Sequence, residues 1–389
     1  MDGLIRQGRD LRVDFFRGLA LWAIFVNHTP GNWLGFVTPR NYVLADATET
    51  FVLLAGYAAG LAFGLVMDRQ GWFFTATRVL GRVFTLYVAH IFLLVVFTAQ
   101  VGYSAAALDS AVYLDELHLD PFSQEPYRAL LEALLLRYQP SFLNILPLYI
   151  VLLAMFALAM PLMRRAWLML GLSVAFYLLA RRFGWSLPAW QGDGGWFFNP
   201  LGWQVLFFVG CALGYRPPGG TPIAIPYRRW VAVLCGVQLL IGLVLVLLTH
   251  ALWEFAQQWL PGGVLVFLAG IDKTALHPLR LVSMLSLTYL VAHFVRREAG
   301  WLHARWAGPF VLMGQQALPV FCSGIALSFF GRVALEWNDR WPMQIAINLL
   351  GAGLLVAIAA LTAWYAAEKR TPRAPAISAL PAAAPADRG

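Results

Sequence analysis

Apolar residues in this chain fall into blocks of about 20, the length at which a helix crosses a bilayer. The helices and strands of a soluble domain instead alternate apolar and polar positions every few residues. The pattern predicts an all-α integral membrane protein with about ten transmembrane helices. The predicted spans are residues 14–29, 47–67, 83–103, 142–163, 167–180, 201–215, 230–249, 279–295, 309–335 and 345–367, and the long ninth span is expected to be tilted or broken near Pro319.

The composition agrees with a membrane protein. Hydrophobic residues make up 60% of the chain and charged residues 12%, whereas a soluble domain is about half apolar and about a quarter charged. The net charge of +8 comes from Lys and Arg beside the apolar blocks, so it indicates orientation in a membrane and does not indicate nucleic-acid binding. The three cysteines lie inside apolar blocks, and no zinc-type spacing occurs. We therefore expect no metal site and no bound cofactor.

Clusters of Arg and Lys predict the orientation of the chain. Because cytoplasmic loops carry an excess of these residues, the clusters belong on one side, and both termini are predicted to be cytoplasmic. Arg181 and Arg182, after the fifth span, break this rule, so either they are functional or one short span is misplaced. A membrane domain is predicted at 1–370, and a disordered Pro- and Ala-rich tail at 371–389. The clusters are Arg6, Arg9 and Arg12; Arg69, Arg78 and Arg82; Arg164 and Arg165; Arg216, Arg228 and Arg229; Arg296, Arg297 and Arg305; and Lys369, Arg370 and Arg373.

The first predicted span carries three ionisable residues, Asp14, Arg17 and His28. Ionisable groups are costly in hydrocarbon, so within a span they usually face the protein interior and mark a functional site. Arg17 and His28 are eleven residues apart, almost three helical turns, so they share one face; Asp14 is close enough to pair with Arg17. Histidine is suited to proton transfer near neutral pH, although a histidine can also simply cap a helix end. The alignment favours a functional interpretation.

Other charged residues near the predicted span ends extend this hypothesis. Glu49 begins the second span, where a carboxylate can orient a catalytic imidazole, unless it is simply solvated. Arg78 and Arg82 are one turn apart on the predicted inner side. Two guanidiniums on one helix face can bind a phosphate, but they are equally explained as positive-inside charge.

Three outer features could meet a polar acceptor. Residues 104–141 form an acidic connection, and residues 185–196 are rich in Gly and Trp. The second stretch is typical of an interfacial aromatic belt, or of a platform for a sugar ring, because Trp combines a flat apolar face with a polar edge. Lys273 and Arg280 mark the entrance of the eighth span, where Arg280 either anchors a carboxylate-bearing group or snorkels to the interface.

The four-residue spacing from Gly56 to Gly64 predicts close helix packing.

These motifs resemble a known family. Arg17, ten intervening residues and His28 resemble the first-helix motif of the type-three membrane acyltransferases. Residues 48–57 are similar to the second-helix segment of that superfamily, and residues 78–87 resemble its basic inner segment, although the two arginines here are four residues apart instead of three. Within the superfamily, residues 199–204, 272–280 and 314–321 are similar to the OpgC branch, which acylates osmoregulated periplasmic glucans.

The resemblance implies a ten-helix O-acyltransferase of the bacterial inner membrane. It would move a succinyl or other acyl group from a cytoplasmic acyl-CoA, such as succinyl-CoA, to hydroxyls of a periplasmic glucan. His28 would be the general base, oriented by Glu49, and the buried pair Asp14 and Arg17 would line the donor path. Donor binding is predicted for Arg17, Arg78 and Arg82, and substrate binding for Trp203, Gln204, Lys273 and Arg280.

The alternative function is a transporter or flippase, in which Asp14, Arg17 and His28 would relay protons or substrate. Transporters are often built from internal repeats, and the two halves of this sequence show no convincing self-similarity. The enzyme is therefore the favoured hypothesis. The sequence leaves open the acyl group, the particular glucan and the oligomeric state.

Overall fold

The computed structural model describes residues 10–190, 195–218 and 223–369, and within these ranges the regular elements are helices without strands. The predicted tail, the first nine residues and part of the Gly- and Trp-rich stretch lie outside the described residues. The α-helices are α1 (Leu11–Asn27), α2 (Ala47–Ala107), α3 (Val112–Glu116), α4 (Asp120–Gln124), α5 (Pro126–Leu134), α6 (Ile145–Ala159), α7 (Ala166–Phe183), α8 (Pro200–Gly214), α9 (Arg229–Thr249), α10 (Trp253–Trp259), α11 (Gly262–Ala269), α12 (Pro278–Phe294), α13 (Gly308–Gln315), α14 (Ala317–Trp337) and α15 (Trp341–Glu368).

Five helices in the described part of the chain are long and apolar enough to cross a membrane. This confirms the all-α, membrane-type prediction, while the count of ten spans and the orientation stay predictions. The longest helix, α2, is divided at Gly71, whose φ of 80° interrupts the helical backbone in a conformation that glycine adopts without a steric penalty. The two parts of α2 contain the predicted spans 47–67 and 83–103. The five are Ala47–Ala107, Ile145–Phe183 (in which α6 and α7 are joined by a 3-10 turn and counted together), Arg229–Thr249, Ala317–Trp337 and Trp341–Glu368.

The first part of α2 packs against α8 through small residues. A Cβ added to Gly60 would lie 2.1 Å from the carbonyl oxygen of Cys211, and one added to Gly214 would lie 2.1 Å from the carbonyl oxygen of Tyr57. The two backbones therefore approach too closely for any side chain at these positions. The predicted packing role of the four-residue glycine spacing is confirmed.

Helix α1 lies at the centre of the bundle and packs against α2, α13 and α14. Helix α1 approaches α13 more closely than α2 approaches α8. A Cβ added to Gly314 would lie 1.8 Å from the Asp14 carbonyl oxygen, and one added to Gly18 would lie 1.9 Å from the Phe310 carbonyl oxygen. The helix that carries Asp14 and Arg17 is therefore in direct backbone contact with α13 at two positions. The predicted ninth span is interrupted at Gln316, between α13 and α14, three residues before the expected break.

The connection that follows α2 is folded into the short helices α3, α4 and α5 and is held by α14. Arg332, only 6% exposed, forms ion pairs with Glu116 and with Glu336. Its guanidinium also lies 5.0 Å from the ring centroid of Tyr113. A buried guanidinium needs such partners because an unpaired charge in the interior is costly. Arg332 thus fixes the acidic connection over one end of α14.

Candidate active site

The buried part of the site is formed by Asp14 and Arg17. Their side chains are 3.7 Å apart, so the pair expected from the helical spacing is present. The Arg17 guanidinium also donates to the carbonyl oxygens of Leu54 at 2.9 Å and Gly314 at 3.4 Å. Gln315 donates to the Asp14 carboxylate at 3.0 Å. The pair therefore connects α1 to α2 and α13 in addition to facing the interior.

His28 directly follows α1 and is half-buried. Its Nδ1 lies 2.7 Å from the carbonyl oxygen of Ile24. A carbonyl oxygen only accepts hydrogen bonds, so Nδ1 carries a proton, and the neutral ring has its free lone pair on Nε2. The ring is held from another side by Phe142, with centroids 4.6 Å apart. His28 is therefore fixed in the tautomer that can accept a proton at Nε2.

Glu49 does not orient His28, contrary to the sequence-based hypothesis. It is fully buried, and its Oε1 accepts from Arg280 at 2.7 and 2.8 Å. Its Oε2 accepts from the backbone N–H of Asp46 at 3.0 Å, which closes a capping box at the start of α2. The carbonyl oxygen of Ile24 takes the orienting position instead, and it accepts both the backbone N–H of His28 at 2.9 Å and the Nδ1–H of its ring at 2.7 Å.

Asp46 forms the second half of this charged cluster. Its carboxylate accepts from the Lys273 ammonium at 2.5 Å and from the backbone N–H of Thr48 at 2.7 Å. Burial opposes ionisation of Asp46, but the nearby cations Lys273 and Arg280 outweigh it and hold the pKa of Asp46 well below its usual range. Asp46 and Lys273 are also among the charged groups that interact electrostatically with His28. The cluster therefore lies beside the candidate base.

A cleft of about 480 Å³ opens on this cluster. Its charged lining includes Asp46, Lys273 and Arg280, together with Arg40. Arg40 also interacts electrostatically with His28, so three of the four charged lining residues act on the imidazole. The volume lies within the range of small-molecule sites in proteins. Of the predicted substrate-binding residues, Lys273 and Arg280 line this cleft.

The other two predicted substrate-binding residues are buried among protein atoms. Trp203 is fully buried and donates from its indole N–H to the carbonyl oxygens of Lys273 and Thr274, both at 3.1 Å. Gln204 is 1% exposed, accepts from the Ser173 hydroxyl at 2.6 Å, and donates to the Ser173 carbonyl. Trp203 therefore supports the loop that carries Lys273, and Gln204 joins α8 to α7. Their burial argues against direct contact with a substrate.

The predicted donor-binding arginines of α2 lie away from the cleft. Arg78 and Arg82 are exposed. Arg82 interacts electrostatically with Tyr149 of α6, as does Arg17. Arg82 and Arg17 therefore both interact with the Tyr149 hydroxyl group, whereas Arg78 lies one turn before Arg82 in α2.

The stretch rich in Gly and Trp is partly structural. Trp196 is 4% exposed and donates to the Pro188 carbonyl oxygen at 3.1 Å. Trp190 packs on Tyr138, with ring centroids 5.5 Å apart. Residues 191–194 lie outside the described residues.

Arg181, which departs from the predicted distribution of positive charge, has a partner. It pairs with Asp272 at 3.4 Å and donates to the Ala275 carbonyl oxygen at 3.0 Å.

Comparison with protein families shows which family this chain belongs to. A family model described as OpgC protein matches residues 9–367. The chain belongs to the OpgC family. No curated protein and no solved structure gives a significant match. Membership in the OpgC family implies an acyltransferase-type enzyme associated with a membrane, and the Arg17-to-His28 motif lies within the matched residues.

Sequence reasoning named Lys273 as a substrate-binding residue, but it missed the pairing of Lys273 with Asp46 and missed Arg40. Asp46 and Lys273 are 227 residues apart, so no local pattern joins them. Arg40 lies in a short 3-10 helix without a motif. Arg332 could have been found, because an arginine inside an apolar span is unusual enough to indicate a buried partner.

We expect Arg280→Gln to destabilise this OpgC protein by about 3–5 kcal/mol, because it leaves the buried Glu49 carboxylate without its cation. Thermal unfolding of the purified protein in detergent measures the effect. Adding Glu49→Gln removes the orphaned charge, so the double variant should recover a large part of the loss. Equal stability of Arg280→Gln and the wild type would show that the pair contributes nothing.

Proposed function

We propose that this protein is an O-acyltransferase of the bacterial inner membrane that transfers a succinyl or other acyl group from a cytoplasmic acyl-CoA to hydroxyls of periplasmic glucans. The observation that carries the proposal is the state of His28 in an OpgC family chain. Its Nδ1–H bonds to Ile24, which leaves the Nε2 lone pair free to accept a proton. A free imidazole nitrogen that interacts with charged residues of the cleft is suited to general base catalysis.

In the proposed reaction, Nε2 of His28 takes the proton of a glucan hydroxyl while the hydroxyl oxygen attacks the thioester carbonyl carbon. The carbon–sulfur bond then breaks, and the coenzyme A thiolate leaves and receives the proton from the imidazolium. The products are a glucan ester and free coenzyme A, and no further reactant is needed. Lys273, Asp46 and Arg40 beside His28 would set the electrostatic field in which the charges develop.

The acceptor is proposed to bind in the cleft whose charged residues Asp46, Lys273 and Arg40 interact with His28. Lys273 and Arg280 line the cleft with ammonium and guanidinium groups, and such donors form hydrogen bonds to sugar hydroxyls. Their contacts to Asp46 and Glu49 keep both cations in place before a substrate arrives. This pre-organisation reduces the entropy cost of binding.

The donor is proposed to approach from the opposite side of the bundle. Arg17 lies eleven residues before His28, which is about 16 Å along the helix at about 1.5 Å per residue. The pair of Asp14 and Arg17 would line the donor path, and Arg78 and Arg82 would contact its phosphates. Arg82 and Arg17 both interact with Tyr149, which supports a shared route for Arg82 more than for Arg78.

Mass spectrometry of periplasmic glucans tests the proposal. Cells that express the chain should contain glucans carrying an acid substituent, and cells without it should not. Membranes from the first cells should transfer a labelled succinyl group from succinyl-CoA to purified glucan. Identical glucan spectra with and without the chain, and no transfer in membranes, would contradict the proposed function.

A further inference from the structure

A group of hydrogen-bond donors on the side away from the cleft has no role in the mechanism above. Arg216, directly beyond α8, donates through Nη2 to the hydroxyl of Tyr57 at 3.4 Å. Tyr57 is on α2, one helical turn from Leu54, whose carbonyl holds the Arg17 guanidinium. Both Arg216 and Tyr57 are half-buried. They therefore lie next to the proposed donor path.

Arg12 adds positive charge to the same place. It interacts electrostatically with Tyr57, and its guanidinium is fixed by Asp10 at 2.9 Å and by the Val295 carbonyl at 2.8 Å. Asp10 also pairs with Arg297 at 3.3 Å, so one carboxylate serves two guanidiniums. Glu298 also acts on Arg12, so the three guanidiniums of Arg12, Arg297 and Arg216 face the two carboxylates of Asp10 and Glu298.

The donors of this group exceed its acceptors. Within the described residues, the Tyr57 hydroxyl accepts from Arg216 but donates to no acceptor, and the Nε and Nη1 of Arg216 have none. Arginine presents five N–H donors in a planar fork that matches the oxygens of a phosphate. A half-buried site with surplus donors and positive charge fits a ligand that is anionic and rich in acceptor oxygens.

We propose that Arg216 and Tyr57, supported by the charge of Arg12, bind the nucleotide phosphates of the acyl donor. This inference rests on the proposed function and adds Arg216 and Tyr57 to Arg78 and Arg82 as residues that contact the donor phosphates. A donor anchored at Tyr57 has its phosphates one helical turn from the contact of Arg17 with Leu54. The remainder of the donor then runs along α1 towards His28.

Calorimetric titration of the purified full-length protein with coenzyme A tests the site without requiring turnover. We expect Arg216→Gln to weaken binding about tenfold or more, since it removes charge-assisted hydrogen bonds. Tyr57→Phe should weaken binding about fivefold through the loss of one neutral hydrogen bond. Pantetheine, which lacks the nucleotide, should bind the wild type and both variants equally. Arg229→Gln, at an exposed arginine that begins α9, is the matched control and should not change binding.

The outcomes separate the two hypotheses. Coenzyme A binding that is the same in Arg216→Gln and the wild type would overturn this site and leave the proposed function intact. A wild type that acylates glucans but binds no coenzyme A would overturn the donor named in the proposed function, and the site with it. Equal weakening by Arg216→Gln and Arg229→Gln would reduce the effect to general positive charge and would also overturn the site.

Discussion

His28→Ala is expected to lower the rate of glucan acylation by about 10²–10⁴-fold, the usual contribution of a general base. The variant removes the Nε2 lone pair that the Ile24 carbonyl exposes by binding Nδ1–H. The amount of folded protein should change little, because the ring is half-buried and its bond is to its own helix. Transfer of labelled acyl groups by membranes containing equal amounts of each variant measures the effect.

His118→Ala is the matched control for this prediction. His118 also uses Nδ1 in a local contact, at 2.8 Å from the Ser141 hydroxyl oxygen, but it is exposed and lies in the acidic connection that follows α2. Its loss should leave acylation unchanged. Near-normal transfer by His28→Ala would exclude the imidazole as the base and would move attention to another group beside the cleft.

Gly314→Val is expected to destabilise the protein by at least about 3 kcal/mol, at the upper end of the usual cost of overpacking. The added Cβ would lie 1.8 Å from the Asp14 carbonyl oxygen, and backbone atoms cannot move aside as a flexible side chain can. Helix α13 must therefore shift away from α1. The shift would also break the contacts of Arg17 with Gly314 and of Gln315 with Asp14, so activity should fall with stability. Thermal unfolding in detergent, with transfer measured in parallel, checks both effects.

Gly236→Val provides the comparison. Gly236 is in the middle of α9, is exposed, and has no atom within 4 Å of an added Cβ. The same change of residue should therefore leave the unfolding temperature nearly unchanged. If both variants unfold at the wild-type temperature, close backbone contact between α1 and α13 is not a source of stability.

Parts of this fold and site follow from local sequence. The cost of placing polar groups in hydrocarbon requires long apolar blocks and allows a charge inside them only with a partner. Asp14 and Arg17 could be paired from their three-residue spacing, and the 3.7 Å contact agrees. The capping box of Asp46 and Glu49 is also local. It was a recognisable signal that Glu49 is engaged at its own helix terminus and is not available to a distant imidazole.

The sequence by itself determined that the protein is all-helical and of membrane type, and that Arg17 and His28 share one face, because helical periodicity and the cost of desolvating charge act over a few turns. Only the tertiary structure decided that Arg280 neutralises Glu49 across 231 residues, that Lys273 reaches Asp46, and that Arg216 reaches Tyr57. Such contacts depend on how helices that are distant in sequence pack together. Here that packing is governed by glycine contacts such as the one between Gly314 and Asp14, and no local pattern specifies which helices those glycines will join.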